Sequence, residues 1–331
     1  MRKVALSAAV VALLSGAAAQ AATHYSGILF FGDSLTDDGN LYALTSATIG
    51  QGIPPAPYFE GRTSNGPVWA DHVAADFTAK GLHSANYAYA YGQAVTNVDT
   101  QFPGGLQVPD LPAQIDAFKA SGTGSLLGDR PVATLWFGAN DLFTAMPSGV
   151  AAVAAAATAA AGAVAGGIES LAETGIRDFL VFNMPPLEKT PRFATLGTPQ
   201  EATLAAFGVG VFNATLDGLL EGLLASAAPG TRITKFPIHA VMDALIADPA
   251  AFGVNDVSNP CYIPTTGQLF CTPEQAALHA FWDPVHPTAT IHASIADLAR
   301  AEIAPIPLPA PALLLFVGIA GLVAVGMRRR A

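Results

Sequence analysis

A serine, a histidine and an aspartate suffice for covalent acyl transfer when a fold brings them together. The chain holds a candidate for each. Ser34 lies in "LFFGDSLTDDGN" (29–40), where an apolar run ends in Gly-Asp-Ser. Asp283 and His286 lie in "FWDPVHPTATIH" (281–292), with Pro284 between them and Pro287 after. Proline fixes its own φ and restricts the residue before it, so both side chains are expected on a stiff loop. Asp283 can accept a hydrogen bond from one ring nitrogen of His286 and fix its tautomer, leaving the other nitrogen to face Ser34. Gly92 permits close backbone approach and carries an N–H, and the Asn140 amide is a side-chain donor. Both are groups that an oxyanion needs. Taken singly, each of these residues also reads as an ordinary turn or cap residue. The Gly-x-Ser-x-Gly elbow is absent, because Thr36 stands where its second glycine belongs.

Such residues act only if distant segments converge. Strand-like runs occur at "GILFF" (27–31), "HSANYAYAYG" (83–92), "PVATLWFGAND" (131–141), "RDFLVFNMPP" (177–186) and "TRITKFPIH" (231–239). Helical patterns fall between them, among them 69–80 and 201–225. The Ala-rich stretch 149–175 reads as one or two helices, weakened at Gly162, Gly166 and Gly167. This alternation predicts a doubly wound parallel sheet with helices on both faces. Ligands of such sheets bind beyond the carboxyl ends of the strands. Ser34, Gly92 and Asn140 each follow a strand-like run there.

The chain has 331 residues, of which 51% are hydrophobic, and both ends contribute to that excess. "MRKVALSAAVVALLSGAAAQAA" has basic residues, an apolar core and then Ala19-Gln20-Ala21, the order of a secretory signal peptide (1–21); a buried first helix is the alternative. Four prolines, Pro305, Pro307, Pro309 and Pro311, precede an apolar run, 312–327, and then Arg328, Arg329 and Arg330. That run spans about 24 Å as a helix, enough to stop transfer through a membrane with the arginines inside. Between these ends, 22–304 reads as one α/β domain. Without them, 10 Lys and Arg face 25 Asp and Glu, so nucleic acid is not an expected partner. Cys261 and Cys271, an even pair in an exported chain, are expected to form a disulfide across a loop, two free thiols being the alternative.

"FGDSLTDDGN", "GRTSNGPVW", "NYAYAYGQA", "FGAND" and "FWDPVHPTATIH" follow one another in the order of the blocks of the GDSL, or SGNH, hydrolase family. They resemble especially its branch of secreted lipase/esterases and hemolysin-like phospholipases, and span 27–301. That resemblance implies a flavodoxin-like three-layer sandwich with a five-stranded parallel sheet of order 2-1-3-4-5. It implies Ser34 as nucleophile, Asp283 and His286 as the closing pair, and Ser34 N–H, Gly92 and Asn140 as the oxyanion hole. "NYAYAYGQA" departs from the pattern, with two extra residues before Gly92 and Gln93 in place of a second glycine. The tail resembles the VPLPA/PEP-CTERM sorting signal, which implies processing by an exosortase-type enzyme and release to the cell surface or matrix of a Gram-negative bacterium; a plain membrane anchor is the alternative.

The expected function is hydrolysis of carboxylic esters (lipid, aryl or acetylated glycan) without cofactor or metal. The alternatives are a polysaccharide O-deacetylase of the same family and a non-catalytic surface or matrix binder on the same fold. His72, His83, His239 and His279 lack partners at metal-ligand spacing. His292 reads as packing, Asp33 and Asp141 as loop-fixing carboxylates, and the pairs Asp37/Asp38 and Asp110/Asp116 as no metal site. Activity is expected to fall on acidification as His286 protonates, around a pKa of about 6.5.

Overall fold

Five strands run parallel in the order 2-1-3-4-5 in the computed structural model, which describes residues 25–97, 102 and 105–303. The segments read as signal peptide and sorting tail lie outside the described residues. The strands are β1 (Gly27–Gly32), β2 (His83–Asn86), β3 (Pro131–Trp136), β4 (Asp178–Phe182) and β5 (Arg232–Phe236). The helices of seven residues or more among the described residues are α1 (Asn40–Ile49), α2 (Trp69–Ala79), α3 (Leu111–Ser121), α4 (Ala139–Ala145), α5 (Val150–Ala172), α6 (Pro199–Ser226), α7 (Ile238–Ala247) and α8 (Ala289–Ile303).

β1, β3 and β4 are buried at every position, as apolar runs in a doubly covered sheet must be. Alternate residues serve the two faces. Leu29, Phe31, Ala133, Leu135, Phe179 and Val181 pack into a core built with α3, α5 and α6. On the opposite face Trp69, at the start of α2, meets Phe30, Trp136 and Phe182, and Phe182 stacks on Trp136 and Phe236 at 4.5 and 4.4 Å. Such aromatic pairs add roughly 0.5–1.5 kcal/mol each beyond area burial.

The Ala-rich stretch is one helix, α5, despite its glycines. A Cβ on Gly167 would lie 3.0 Å from the Leu111 side chain, so this glycine sets the distance to α3. On α6, a Cβ on Gly208 would come within 2.7 Å of Val153. Small residues therefore bring α5 and α6 close together over the sheet. Both helices are long and apolar enough to cross a membrane by length and composition; here their buried residues pack in the core.

Two expectations change. The alternating run 83–92 is a strand only to Asn86. Beyond it Tyr89–Gly92 form a turn, closed by Gly92 N–H donating to Tyr89 O at 2.9 Å, with Tyr91 at φ 69° in the left-handed position. The Cys261–Cys271 disulfide is present, but the chain it closes is a small hairpin, β7 (Tyr262–Ile263) with β8 (Gln268–Leu269), rather than an irregular loop. Just before it β6 (Asp256–Pro260) pairs with β9 (His279–Phe281), the strand that leads into Asp283.

Candidate active site

Ser34 follows β1, and its turn is held from several sides. The Asp33 carboxylate accepts the Leu35 N–H at 3.0 Å, and the Asp33 carbonyl accepts from Thr36 and Asp37. A Cβ on Gly32 would meet Thr36 at 2.7 Å, so glycine is required for the chain to turn this tightly. Buried Gln114, from α3, grips both backbone groups of Gly32, and Thr63 Oγ1 donates to the Ser34 carbonyl at 2.6 Å. The Asp37 carboxylate gathers the N–H groups of Gly39, Asn40, Leu41 and Ala90. Asn40 and Asn86 cross-link this segment to the one after β2.

His286 Nε2 lies 2.8 Å from Ser34 Oγ, across 252 positions of sequence. His286 Nδ1 lies 2.7 Å from Asp283 Oδ2. The other carboxylate oxygen, Oδ1, accepts the N–H groups of Val285 and His286, both at 2.8 Å. Four donors thus fix this 3%-exposed carboxylate, the fourth being the Tyr58 hydroxyl on Oδ2 at 2.6 Å.

Burial opposes ionisation of both partners, but their mutual attraction and hydrogen bonds outweigh it. His286 is held above its ordinary pKa and Asp283 below its own. The acid limb is therefore expected above, rather than at, the unperturbed histidine value. Burial raises Asp33 to about 7 and Asp141 to about 6. Asp141 accepts the Ala94 and Val95 N–H groups, the loop-fixing use expected of it.

Asn140, at the start of α4 beyond β3, donates through Nδ2 to the Gly92 carbonyl at 3.0 Å. One amide proton is engaged there, and the second has no acceptor among the described residues. The Ser34 N–H likewise has no acceptor among the described residues. Gly92 differs from expectation: its N–H is spent on Tyr89, and its carbonyl orients Asn140. A Cβ on Gly92 would lie 2.9 Å from the Tyr89 carbonyl, so the site still requires glycine.

His292 and His279 stand apart from this chemistry. His292 is fully buried; its Nδ1 accepts the Trp69 N–H at 3.3 Å, and burial lowers its pKa to about 3. His279 Nδ1 lies 3.1 Å from the Asn259 carbonyl. Among the described residues the one grouping near enough to share a metal ion is Cys261, Cys271 and His279, and its two sulfurs are already joined to each other.

Ser34 opens into a cavity of about 770 Å3. Ile53 and Tyr58 from the segment 50–62, Tyr262 and Pro264 from the segment 253–275, and Phe143 and Met242 are among its walls. Tyr58 is a residue that sequence reasoning missed. Its only signal was position just before "GRTSNGPVW", and spacing cannot say that it reaches Asp283, 225 residues away. Its ring packs edge-on against Tyr262 and Trp282, beside the disulfide. Tyr58→Phe leaves that packing and removes one donor from the carboxylate. Such a bond to a charged group is worth about 1.5 kcal/mol or more, so kcat/KM should drop on the order of tenfold. The more basic carboxylate should also shift the acid limb of the pH–rate profile upward. An unmoved limb would mean that Tyr58 is only packing.

A parallel α/β sheet whose carboxyl edge presents a hydrogen-bonded serine, histidine and aspartate at an apolar cavity is the arrangement of a serine hydrolase, and the family match makes it a carboxylic ester hydrolase. The sequence profile of the GDSL-like Lipase/Acylhydrolase family matches residues 28–299, and the chain belongs to that family. It is 27% identical to phosphatidylcholine-sterol acyltransferase of Aeromonas hydrophila, over 85% of this chain and 91% of that protein. It is 28% identical to the thermolabile hemolysin of Vibrio parahaemolyticus, over 82% of this chain and 62% of that longer protein. Among solved structures, Axe2, an acetylxylan esterase from Geobacillus stearothermophilus, aligns over 85% of this chain and 94% of its own, with 12% identity and a TM-score of 0.44.

Proposed function

We propose that the protein is an exported serine esterase that cleaves esters of apolar acyl groups through an acyl-enzyme. The observation that carries this is the unbroken chain Ser34 Oγ–His286–Asp283, at 2.8 and 2.7 Å. Ser34 attacks the ester carbonyl while His286 Nε2 takes its proton. The Ser34 N–H and the second amide proton of Asn140 receive the oxyanion. The Gly92 N–H can join them only by leaving Tyr89 O, so its main contribution is to aim Asn140. His286 then protonates the departing alcohol. Water, with His286 again as base, releases the acid.

The cavity favours an apolar acyl group over acetyl. An acetyl needs far less than 770 Å3, and the walls beyond the reacting groups are mostly aliphatic, aromatic and proline side chains. Polysaccharide deacetylation is therefore the second reading. Export follows from the basic-apolar-small order at the start of the chain, and surface or matrix release by exosortase-type processing follows from the proline, apolar and arginine pattern at its end.

A fluorophosphonate probe, with peptide mapping, tests the reading at once. Labelling should occur on Ser34, and its rate should fall below the pKa of His286. An active protein labelled elsewhere, or no labelling in the native state, favours a binding protein instead. A p-nitrophenyl ester series beside acetylated xylan then decides between the acyl and acetyl readings.

A further inference from the structure

We propose that Arg192 is a recognition residue for an anionic group, phosphate in chemical class, on the alcohol portion of the substrate. The inference rests on the ester-hydrolase reading for its biological use, but not for its test. Among the described residues, Arg192 is the one lysine or arginine that lines the cavity holding Ser34 and His286. The cavity's two carboxylates, Asp33 and Asp283, are buried and engaged within their own loops.

The other described arginines all have partners. Arg62, Arg130 and Arg300 donate to aspartates at 2.6–2.8 Å, Arg232 lies 3.9 Å from Asp178, and Arg177 caps two backbone carbonyls. Arg192 alone among them has neither a carboxylate nor a carbonyl on its guanidinium. Glu201, whose charge it feels, is spent on the amide and hydroxyl of Thr198. Instead the guanidinium carbon sits 4.2 Å from the ring centroid of Phe143 and 5.2 Å from that of Phe193. Stacking on aromatic faces holds a guanidinium plane in place while leaving its five N–H donors free at the edge.

The backbone repeats this placement. Arg192 N–H donates to the Pro284 carbonyl at 2.8 Å, inside the loop that carries Asp283 and His286. Phe143 belongs to α4, which begins beside Asn140. The Arg192 backbone is thus tied to the loop of Asp283 and His286, and its guanidinium rests on the helix that carries Asn140. A protein of net charge −10 gains nothing from an unpaired arginine as a general lure for anions, so a specific contact is the better use of it. The apolar walls take the acyl chain. The fixed charge then falls to the polar portion, where the fork of Arg suits a phosphate bidentately.

Calorimetric titration with ligands that are not carboxylic esters tests this without turnover. The probes are dodecyl phosphate below its micellar concentration, neutral 1-dodecylglycerol and inorganic phosphate. Native protein should bind dodecyl phosphate at least tenfold more tightly than 1-dodecylglycerol. Arg192→Gln should collapse that ratio toward one, and Arg192→Lys should restore part of it. An unchanged ratio in Arg192→Gln, or equal losses for both amphiphiles, overturns the proposal. Inorganic phosphate bound as tightly as dodecyl phosphate overturns it too, because the site would then serve a free anion. Steady-state rates on 1-dodecanoylglycerol 3-phosphate and 1-dodecanoylglycerol carry the same ratio into kcat/KM. Failure to hydrolyse either ester would count against the hydrolase reading, while the binding ratio would still judge Arg192.

Discussion

Ser34→Ala should lower kcat by about 10⁴–10⁶-fold while leaving the fold intact. Among the described residues the hydroxyl makes one polar contact, to His286 Nε2. The turn around it is held by groups the substitution leaves alone: the Asp33 carboxylate on the Leu35 N–H, Gln114 on both backbone groups of Gly32, and Thr63 on the Ser34 carbonyl. Thermal unfolding should therefore stay within a few degrees of the native protein. What is lost is the hydroxyl that His286 Nε2 contacts and can deprotonate to make a covalent bond. Residual catalysis from the Ser34 N–H and Asn140, with bound water as nucleophile, should remain measurable. The readout is initial rate on a p-nitrophenyl ester together with a melting curve. A variant that melts normally and keeps more than a tenth of the activity would remove Ser34 from the mechanism.

Asp283→Asn should cost about 10⁴-fold in kcat by reversing a proton rather than by moving an atom. The asparagine oxygen can still accept the Val285 and His286 N–H groups, so the loop should keep its shape. The new NH2 then faces His286 Nδ1 and the Tyr58 hydroxyl. It donates where the carboxylate accepted, and Nδ1 must accept in turn. The ring proton is driven to Nε2, which then points N–H at Ser34 Oγ and cannot take its proton. The pH–rate profile should change with it. The native imidazole titrates above its ordinary value, chiefly because the Asp283 charge overcomes burial. Without that charge the acid limb should move down.

Stability follows the same linkage. Asp283 titrates below its ordinary value when folded, so its stabilising contribution is present above about pH 4 and fades as pH falls through the folded value. His286 titrates above its ordinary value, so its contribution is full below about pH 6.5 and fades as pH rises through the folded value. The melting temperature of Asp283→Asn should thus lie furthest below native between these limits. A loss of activity under tenfold with an unmoved acid limb would show that the carboxylate neither sets the tautomer nor tunes the base.

Much of this was legible in the chain itself. Three of the strands could be expected because buried parallel strands need continuous apolar runs, and β1, β3 and β4 are such runs; their order in the sheet was implied only by the family resemblance. Ser34, Asn140, Asp283 and His286 were legible because each stands at a strand end or on a proline-fixed loop, within a block whose order the family shares. Tyr58, Gln114 and Arg192 were not legible. Their partners are 225, 82 and 92 positions away, and no local periodicity encodes a contact across the sheet edge. The Tyr89–Gly92 turn escaped for a different reason, since alternating tyrosines look like a strand until the neighbours that would pair with them are found missing. The sequence by itself determined which residue types could react and which segments would be strands, because burial and backbone geometry are local demands. Only the tertiary structure decided which N–H is free for an oxyanion, which hydroxyl braces Asp283 and which arginine is left unpaired. Each of those is a competition among donors and acceptors that meet only after the chain has folded.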